Sequence, residues 1–332
     1  MRPLLPILRK LIFAPTRIAV IDDQRTWKSF HLYLGALHLA RQIEKTTSKP
    51  HIGVMLPTSG LFPMAMFATW MLGRTLVPLN YLLKADDLDY VINDAELDTV
   101  ITVGPMIDFI KSQAGGRDLP SNVTQLRLDE MSFKGFPPFR FAKRQPDDFI
   151  AVLLYTSGTS GKPKGVMLTC ANLATNIQQV MQWVGFTYKD KMLGVLPQFH
   201  SFGLTVLTLL PLTVGCSAVY TAKFLPKKIL DLMTKHRPTV LVAIPSMHNA
   251  LLHAKSATPD HFQSFKYVVS GGEPLPEAVF EGYREKFNVT INEGYGLTET
   301  SPVTNWCRPW DFRRKSVGMA LPQVEEIIVD PQ

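Results

Sequence analysis

Between Leu154 and Thr169 the chain reads LYTSGTSGKPKGVMLT, small and hydroxylated residues leading into two lysines separated by a proline. Residues of these types at this density suit the holding of phosphate. Gly158, Gly161 and Gly165 let the backbone come close to an anion and turn N–H groups toward it, while Thr156, Ser157, Thr159 and Ser160 add hydroxyl donors. Lys162 and Lys164 add positive charge. The apolar run Phe149 to Tyr155 reads as a buried strand and Asn172 to Val184 has helical periodicity, so the loop is expected between a strand and a helix. A Walker A loop would place Gly where Thr156 stands and Ser or Thr where Pro163 follows Gly161-Lys162, so this is a phosphate cradle of another kind. A solvated Gly/Ser linker is the plain alternative for such composition. The hydroxyl and lysine density argues against it.

The segment Tyr155 to Gly165 resembles the signature loop of the acyl-adenylate-forming superfamily, which includes acyl-CoA synthetases, luciferases and the adenylation domains of peptide synthetases. Further segments are similar to that family in the same order: Pro197 to Gly203, PQFHSFG; Ser270 to Leu275, SGGEPL; and Glu293 to Glu299, EGYGLTE. The resemblance covers nearly the whole chain.

Composition is compatible with it. A chain of 332 residues, 46% of them apolar, exceeds what one compact core usually holds. Two α/β subdomains are expected, 1–145 and 146–320, with 321–332 beginning a third. The formal charge of +7 suits anionic ligands such as ATP or CoA, or an anionic membrane surface. The basic clusters Arg140, Lys143, Arg144 and Arg308, Arg313, Arg314, Lys315 read as solvated faces. Neither aromatic–basic interleaving nor a nucleic-acid motif is read, so no nucleic-acid partner is expected. Cys170, Cys216 and Cys307 are too few and too far apart for a disulfide framework or a zinc site, and a reducing cytoplasm fits best.

The uncharged runs Ile52 to Gly73 and Met192 to Ala222 are long enough to cross a bilayer, but each is broken by Pro and Gly and reads as buried strand and helix. The N-terminus, MRPLLPILRKLIFAP, is only weakly like a signal peptide, because Arg9 and Lys10 interrupt its apolar region; a peripheral membrane contact there stays open. Strand-like runs (18–21, 52–56, 75–78, 99–103) alternate with helical patterns (29–44, 61–72, 86–95), and strands near 149, 192, 218, 240, 267 and 290 repeat the scheme. This predicts an α/β fold with two parallel-type sheets layered with helices. Lys134 to Asp148, rich in Pro and charge, reads as a connector.

The resemblance implies ATP-dependent activation of a carboxylic acid to acyl-AMP and then acyl-CoA, with ATP, Mg²⁺ and CoA as cofactors. By it, Thr156 to Lys164 would cradle the β- and γ-phosphates, with Lys162 as a catalytic cation. Thr298 would meet the α-phosphate, and Glu299 would hold the metal ion with help from Thr156. Gly271, Gly272 and Glu273 would pass along adenine, where the family commonly has Ala at the last position. Within Gly294-Tyr295-Gly296, the tyrosine would stack on the ring. His200 would line the carboxylate end of the acyl site.

Peptide-synthetase adenylation domains carry an aspartate near the segment 199–210, and this chain has no acid there, which favours an apolar acid over an amino acid. The FHSFGLT and GYGLTETSP stretches are most similar to long-chain fatty acyl synthetases, including the synthetase portion of acylglycerophosphoethanolamine acyltransferases. Some members of that group place a gating Trp near the position of Leu204. Whole members continue into a small C-terminal domain bearing a lysine that bridges the acyl carboxylate and the α-phosphate. That domain is expected to be absent here or separately encoded, leaving two alternatives: a fatty acid ligase in truncated form, or a catalytically incompetent ATP- and acyl-binding module.

Overall fold

A computed structural model describes residues 3–157 and 161–330, with Ser157 described by its backbone alone. Gly158, Thr159 and Ser160 therefore lie outside the described residues. In chain order the strands are β1 (Ile18–Ile21), β2 (Thr26–Lys28), β3 (His51–Val54), β4 (Thr75–Pro78) and β5 (Thr99–Thr102). These are followed by β6 (Thr124–Arg127), β7 (Ile150–Ser157), β8 (Pro163–Thr169), β9 (Lys191–Gly194) and β10 (Ser217–Tyr220). The last are β11 (Val240–Ala243), β12 (Tyr267–Ser270), β13 (Asn292–Gly296), β14 (Val303–Trp306) and β15 (Met319–Ala320).

They form two mixed sheets. One has six strands in the order β6-β5-β3-β4-β7-β8, and the other nine, β15-β14-β13-β12-β11-β9-β10-β1-β2. Both are parallel in the middle and antiparallel where β8, β2, β14 and β15 close the edges. The sheets exchange strands: β1 pairs in parallel with β10, and β7 with β4. Neither sheet is thus built from one contiguous half of the chain.

The uncharged run from Ile52 divides into β3 and the helix α3. Helix α1 spans Leu4–Phe13, α2 Ser29–Thr46 and α3 Leu61–Met71. Every residue of α3 from Phe62 to Met71 is buried, and α2 packs along it. A helix that is apolar all round has no face to give to water, which accounts for the missing charge in this stretch. No described helix is long and apolar enough to cross a membrane. In α1, Leu4, Ile7, Leu8 and Leu11 recur at helical spacing and are buried, packed on α2 and on the helix Leu210–Val214.

One expectation is corrected. The phosphate-type loop joins two antiparallel strands, β7 and β8, and the helix α6 (Cys170–Val184) begins only after β8. Lys164 and Gly165 gave β8 the composition of a loop. The backbone partners offered by β7 along the whole segment make it a strand, because strand formation depends on the neighbour more than on intrinsic preference.

At the N-terminal edge of the larger sheet, the buried carboxylate of Asp190 gathers three elements. It accepts from Thr187 N–H at 2.8 Å, Thr239 Oγ1 at 3.0 Å and Lys266 Nζ at 2.9 Å. Burial works to raise its pKa, but the Lys266 ammonium and the amide and hydroxyl donors outweigh burial and hold it below the usual carboxylate range. A carboxylate lowered on folding stabilises the fold above its unfolded pKa of about 4 and loses that contribution as pH falls through the folded value. Asp190→Asn is expected to cost about 2 kcal/mol at neutral pH. The gap to the parent should close below about pH 4; urea titrations at several pH values measure it.

Candidate active site

The motifs meet where the larger sheet gives out into its C-terminal loops. His200 caps the short helix Ser201–Leu204, its Nδ1 accepting from the Phe202 N–H at 3.3 Å. One side of the ring reaches solvent, yet its surroundings are crowded enough that desolvation lowers its pKa, so it is neutral at physiological pH. The next residue, Ser201, places its hydroxyl 3.0 Å from Thr298 Oγ1, joining the PQFHSFG and EGYGLTE segments directly.

The glycine turn after β12 joins the same cluster. A Cβ on Gly271 would fall 3.0 Å from the edge of the Phe202 ring and 3.3 Å from the Gly294 carbonyl, so three motifs touch through a position with no side chain. Gly272 follows at φ +86°, a backbone conformation that side-chain-bearing residues rarely adopt. Beneath the turn, His248 is fully buried. Its Nε2–H donates to the Val269 carbonyl at 3.1 Å, and burial pushes its pKa down to about 4, so it stays a neutral strut. Glu273 is exposed.

Along β13, Glu293 is fixed by Arg314 at 2.8 Å, and Arg314 also reaches Glu277 at 3.1 Å. Arg308 forks onto Asp311 and lies 3.7 Å over the Trp183 ring. Arg308 and Arg314 are therefore structural residues, in contrast to the solvated face expected for their cluster. Tyr295 presents a half-exposed ring between Gly294 and Gly296. A Cβ on Gly296 would lie 1.9 Å from the Pro302 carbonyl, so the turn that follows can pass only where the side chain is missing. Glu299 is exposed and has no hydrogen-bond or ion-pair partner among the described residues.

The β7–β8 hairpin lies against this turn, with β8 running beside Thr298–Thr300. Thr156 is opposite Lys164 in the ladder, and Tyr155 opposite Gly165. The Tyr155 hydroxyl donates to Asp94 Oδ2 at 2.6 Å, pinning the hairpin to the helix α4 (Ala85–Asp94); burial and this carboxylate raise the phenol's pKa and keep it the donor. Lys162 is exposed, with Nζ 5.2 Å from the centre of the Tyr90 ring. Lys164 is also exposed, and Gly161 has φ +89°.

Sequence reasoning passed over the residues that hold hairpin and turn together. On one face of α6, Asn176, Gln179 and Trp183 recur at i, i+3 and i+7, and each donates to a backbone carbonyl across the cleft. Asn176 Nδ2 reaches Val303 O at 2.7 Å, Gln179 Nε2 reaches Pro322 O at 2.9 Å, and Trp183 Nε1 reaches Trp306 O at 2.9 Å. Asn176 also accepts from the Val303 N–H at 3.2 Å, saturating that residue's backbone. Their helical spacing was the available signal.

Beside the cluster a cavity of about 1020 Å³ lies at the C-terminal ends of strands from both sheets. This is where open α/β sheets receive ligands. Its wall is mostly apolar, including Trp27, Leu34, Met64, Phe109 and Phe224. Val195, Pro197 and Met247 also line it.

The fold and this convergence agree with the comparisons: the chain belongs to the AMP-binding enzyme family, whose profile matches residues 13–332. It is 28% identical over 314 residues to a long-chain-fatty-acid–CoA ligase of Bacillus subtilis (strain 168), a match covering 83% of this chain and 56% of the relative. It is 36% identical over 201 residues to 4-coumarate–CoA ligase 1 of Solanum tuberosum, covering 57% of this chain and 36% of the relative. The ATP-bound crystal structure of MatB from Rhodopseudomonas palustris superposes with a TM-score of 0.82 at 28% identity, over 97% of this chain and 65% of that one. The anthranilate CoA ligase AuaEII in complex with anthranoyl-AMP superposes at 0.87 and 23% identity, over 97% of this chain and 64% of that one, a likeness of fold. The chain spans about half the length of the curated relatives that it matches over most of its own. These relatives are named for different acids, so family membership leaves the acid open.

Asn176→Ala strips both partners from the buried backbone of Val303. It is expected to destabilise the fold by about 2–3 kcal/mol, read as a lower urea midpoint at unchanged slope.

Proposed function

We propose that this chain forms the nucleotide- and acid-binding part of an AMP-forming acyl–CoA ligase acting on a fatty, long-chain carboxylic acid. The observation that carries the reading is the set of contacts that links the hairpin, His200-Ser201, the glycine turn and Thr298-Glu299. In the reaction, a carboxylate oxygen of the acid bonds to the α-phosphorus of ATP and the bond to pyrophosphate breaks. The thiol of CoA then takes the acyl group and AMP leaves.

Each residue has a part in this. The loop from Thr156 through Ser157, Gly158, Thr159, Ser160 and Gly161 to Lys164 offers N–H groups, hydroxyls and cations to the β- and γ-phosphates. Lys162 swings from Tyr90 to join them, its flexible stem allowing it. Thr298, oriented by Ser201, donates toward the α-phosphate, where charge grows in the transition state. Gly271, Gly272 and Glu273 offer a flat backbone edge to adenine, and the half-exposed Tyr295 a ring face. His200, neutral and at the cleft edge, orients the carboxylate.

Glu299 fits a magnesium ion, which Thr156 would help to hold. The described residues hold no cluster of three or more His, Cys, Asp or Glu, and one free carboxylate completed by phosphates and water is the usual magnesium arrangement. Such an ion would neutralise charge on the leaving pyrophosphate.

The cavity supports an apolar, extended acid. Its volume is at the upper end for small-molecule sites and its wall is mainly hydrocarbon, whereas a short or aromatic acid would leave most of it unfilled. The buried thiols Cys170, Cys216 and Cys307 are free, in keeping with a reducing cytoplasm.

Titration calorimetry should show ATP binding, and fatty-acid-dependent exchange of labelled pyrophosphate into ATP should appear when a lysine-bearing C-terminal domain is supplied. ATP binding with no exchange under that condition would make the chain a binding module, and no ATP binding would sink both readings. Thr298→Ala is expected to lower the exchange rate by about a hundred- to a thousandfold. Leu34→Trp, which narrows the cavity, should weaken binding of a long-chain acid in equilibrium dialysis and leave ATP affinity unchanged.

A further inference from the structure

The connector between β6 and β7 does not behave as a solvated linker. From Phe133 to Arg144 it reads FKGFPPFRFAKR, aromatic and basic residues interleaved with no acid, a pattern overlooked when the segment is read for Pro and charge alone. Its rings face outward, Phe136 at 92% exposure, Phe139 at 65% and Phe141 at 84%. The backbone beneath them is tied down. His38 Nε2 donates to the Gly135 carbonyl at 3.1 Å, Arg140 forks onto Glu44, and the Lys143 N–H donates to the Met71 carbonyl at 3.0 Å. The adjacent prolines 137 and 138 stiffen the span between the first two ties. Aromatic rings held in water on an anchored frame are apolar surface without a partner.

The charge around them is selective. Glu44 neutralises Arg140, but Lys134, Lys143 and Arg144 make no ion pair among the described residues. We propose that the segment 133–144 docks on an anionic lipid bilayer, Phe136, Phe139 and Phe141 entering the interface while Lys134, Lys143 and Arg144 meet the headgroups. Aromatic and apolar side chains among unpaired cations form the pattern of interfacial anchors, and each cation close to an anionic surface strengthens binding about fivefold. Nucleic acid fits less well. Phe139 and Phe141 meet edge to face at 88° and offer no parallel pair of faces to successive bases. Phe133 and Gly135 also form part of the wall of the large apolar cavity. Docking therefore brings the cavity rim to the surface where an amphiphilic acid concentrates; that last consequence rests on the fatty-acid reading, and the docking itself does not.

Co-sedimentation of the full chain with vesicles, without ATP or acid, separates the two. Binding is expected to phosphatidylcholine vesicles that contain phosphatidylserine, weakened by salt, and much less to phosphatidylcholine alone. The triple change Lys134→Gln, Lys143→Gln, Arg144→Gln should reduce it on the order of a hundredfold, and Phe136→Ser, Phe139→Ser, Phe141→Ser should abolish it. As a single mild change, Phe139→Trp should give fluorescence quenched by brominated lipid. The proposal is overturned if anionic vesicles do not bind, if the tryptophan is not quenched, or if binding is lost only on changing the exposed Leu5, Ile12 and Phe13 of α1. It is equally overturned if RNA binds this segment in preference to vesicles, or if the phenylalanine changes abolish self-association in sedimentation velocity and leave lipid binding intact.

Discussion

The amide of Asn176 ties together two parts of the chain that are far apart in sequence. It satisfies both the N–H and the carbonyl of Val303 from a buried position on α6. α6 follows directly on β8 and Val303 follows closely on Thr298-Glu299, so this side chain is one of the ties between the β7–β8 hairpin and the turn. A buried amide with every partner made is rigid in a way that apolar packing is not, since a shift of an ångström breaks hydrogen bonds in an environment that offers no water as replacement. Gln179 and Trp183 repeat the device further along the same helix face.

The position of the cleft follows from how the sheets are made. Strands in each core run parallel, so their C-terminal ends open on one side, and there the chain places its loops. Strand exchange means that both sheets help to fix those loops. The apolar stretches are the other half of the arrangement: α3 is buried on all sides, freeing the charged residues for the surface and the cleft. Glycines at 271 and 296 let main chain and ring approach where any side chain would collide.

Electrostatics divides the basic residues by task. Arg314 and Arg308 are consumed in pairing and stacking that brace β13 and the segment after β14. Lys162 and Lys164 stay exposed on the hairpin, and Lys134, Lys143 and Arg144 stay exposed on the connector. The net charge of +7 is therefore not a uniform field. Among the cations that make no ion pair within the described residues are those exposed on the hairpin and the connector.

Local pattern was enough to read the α/β class, the positions of β1, β4 and α2 and the four motif segments, because apolar periodicity and glycine placement are written residue by residue. What the chain could not show was anything that depends on a distant partner. Lys164 and Gly165 looked like loop until β7 supplied their ladder, and the apolar stripe of α1 had no evident cover until α2 lay against it. Arg314 looked solvated until Glu293 came beside it, and His248 had no evident role until the turn after β12 lay above it. The sequence by itself determined the α/β class and the segments that carry the family resemblance. Only the tertiary structure decided that these segments touch and what braces them, because hydrogen bonds between residues 127 positions apart, as Asn176 and Val303 are, leave no local trace in the order of the amino acids.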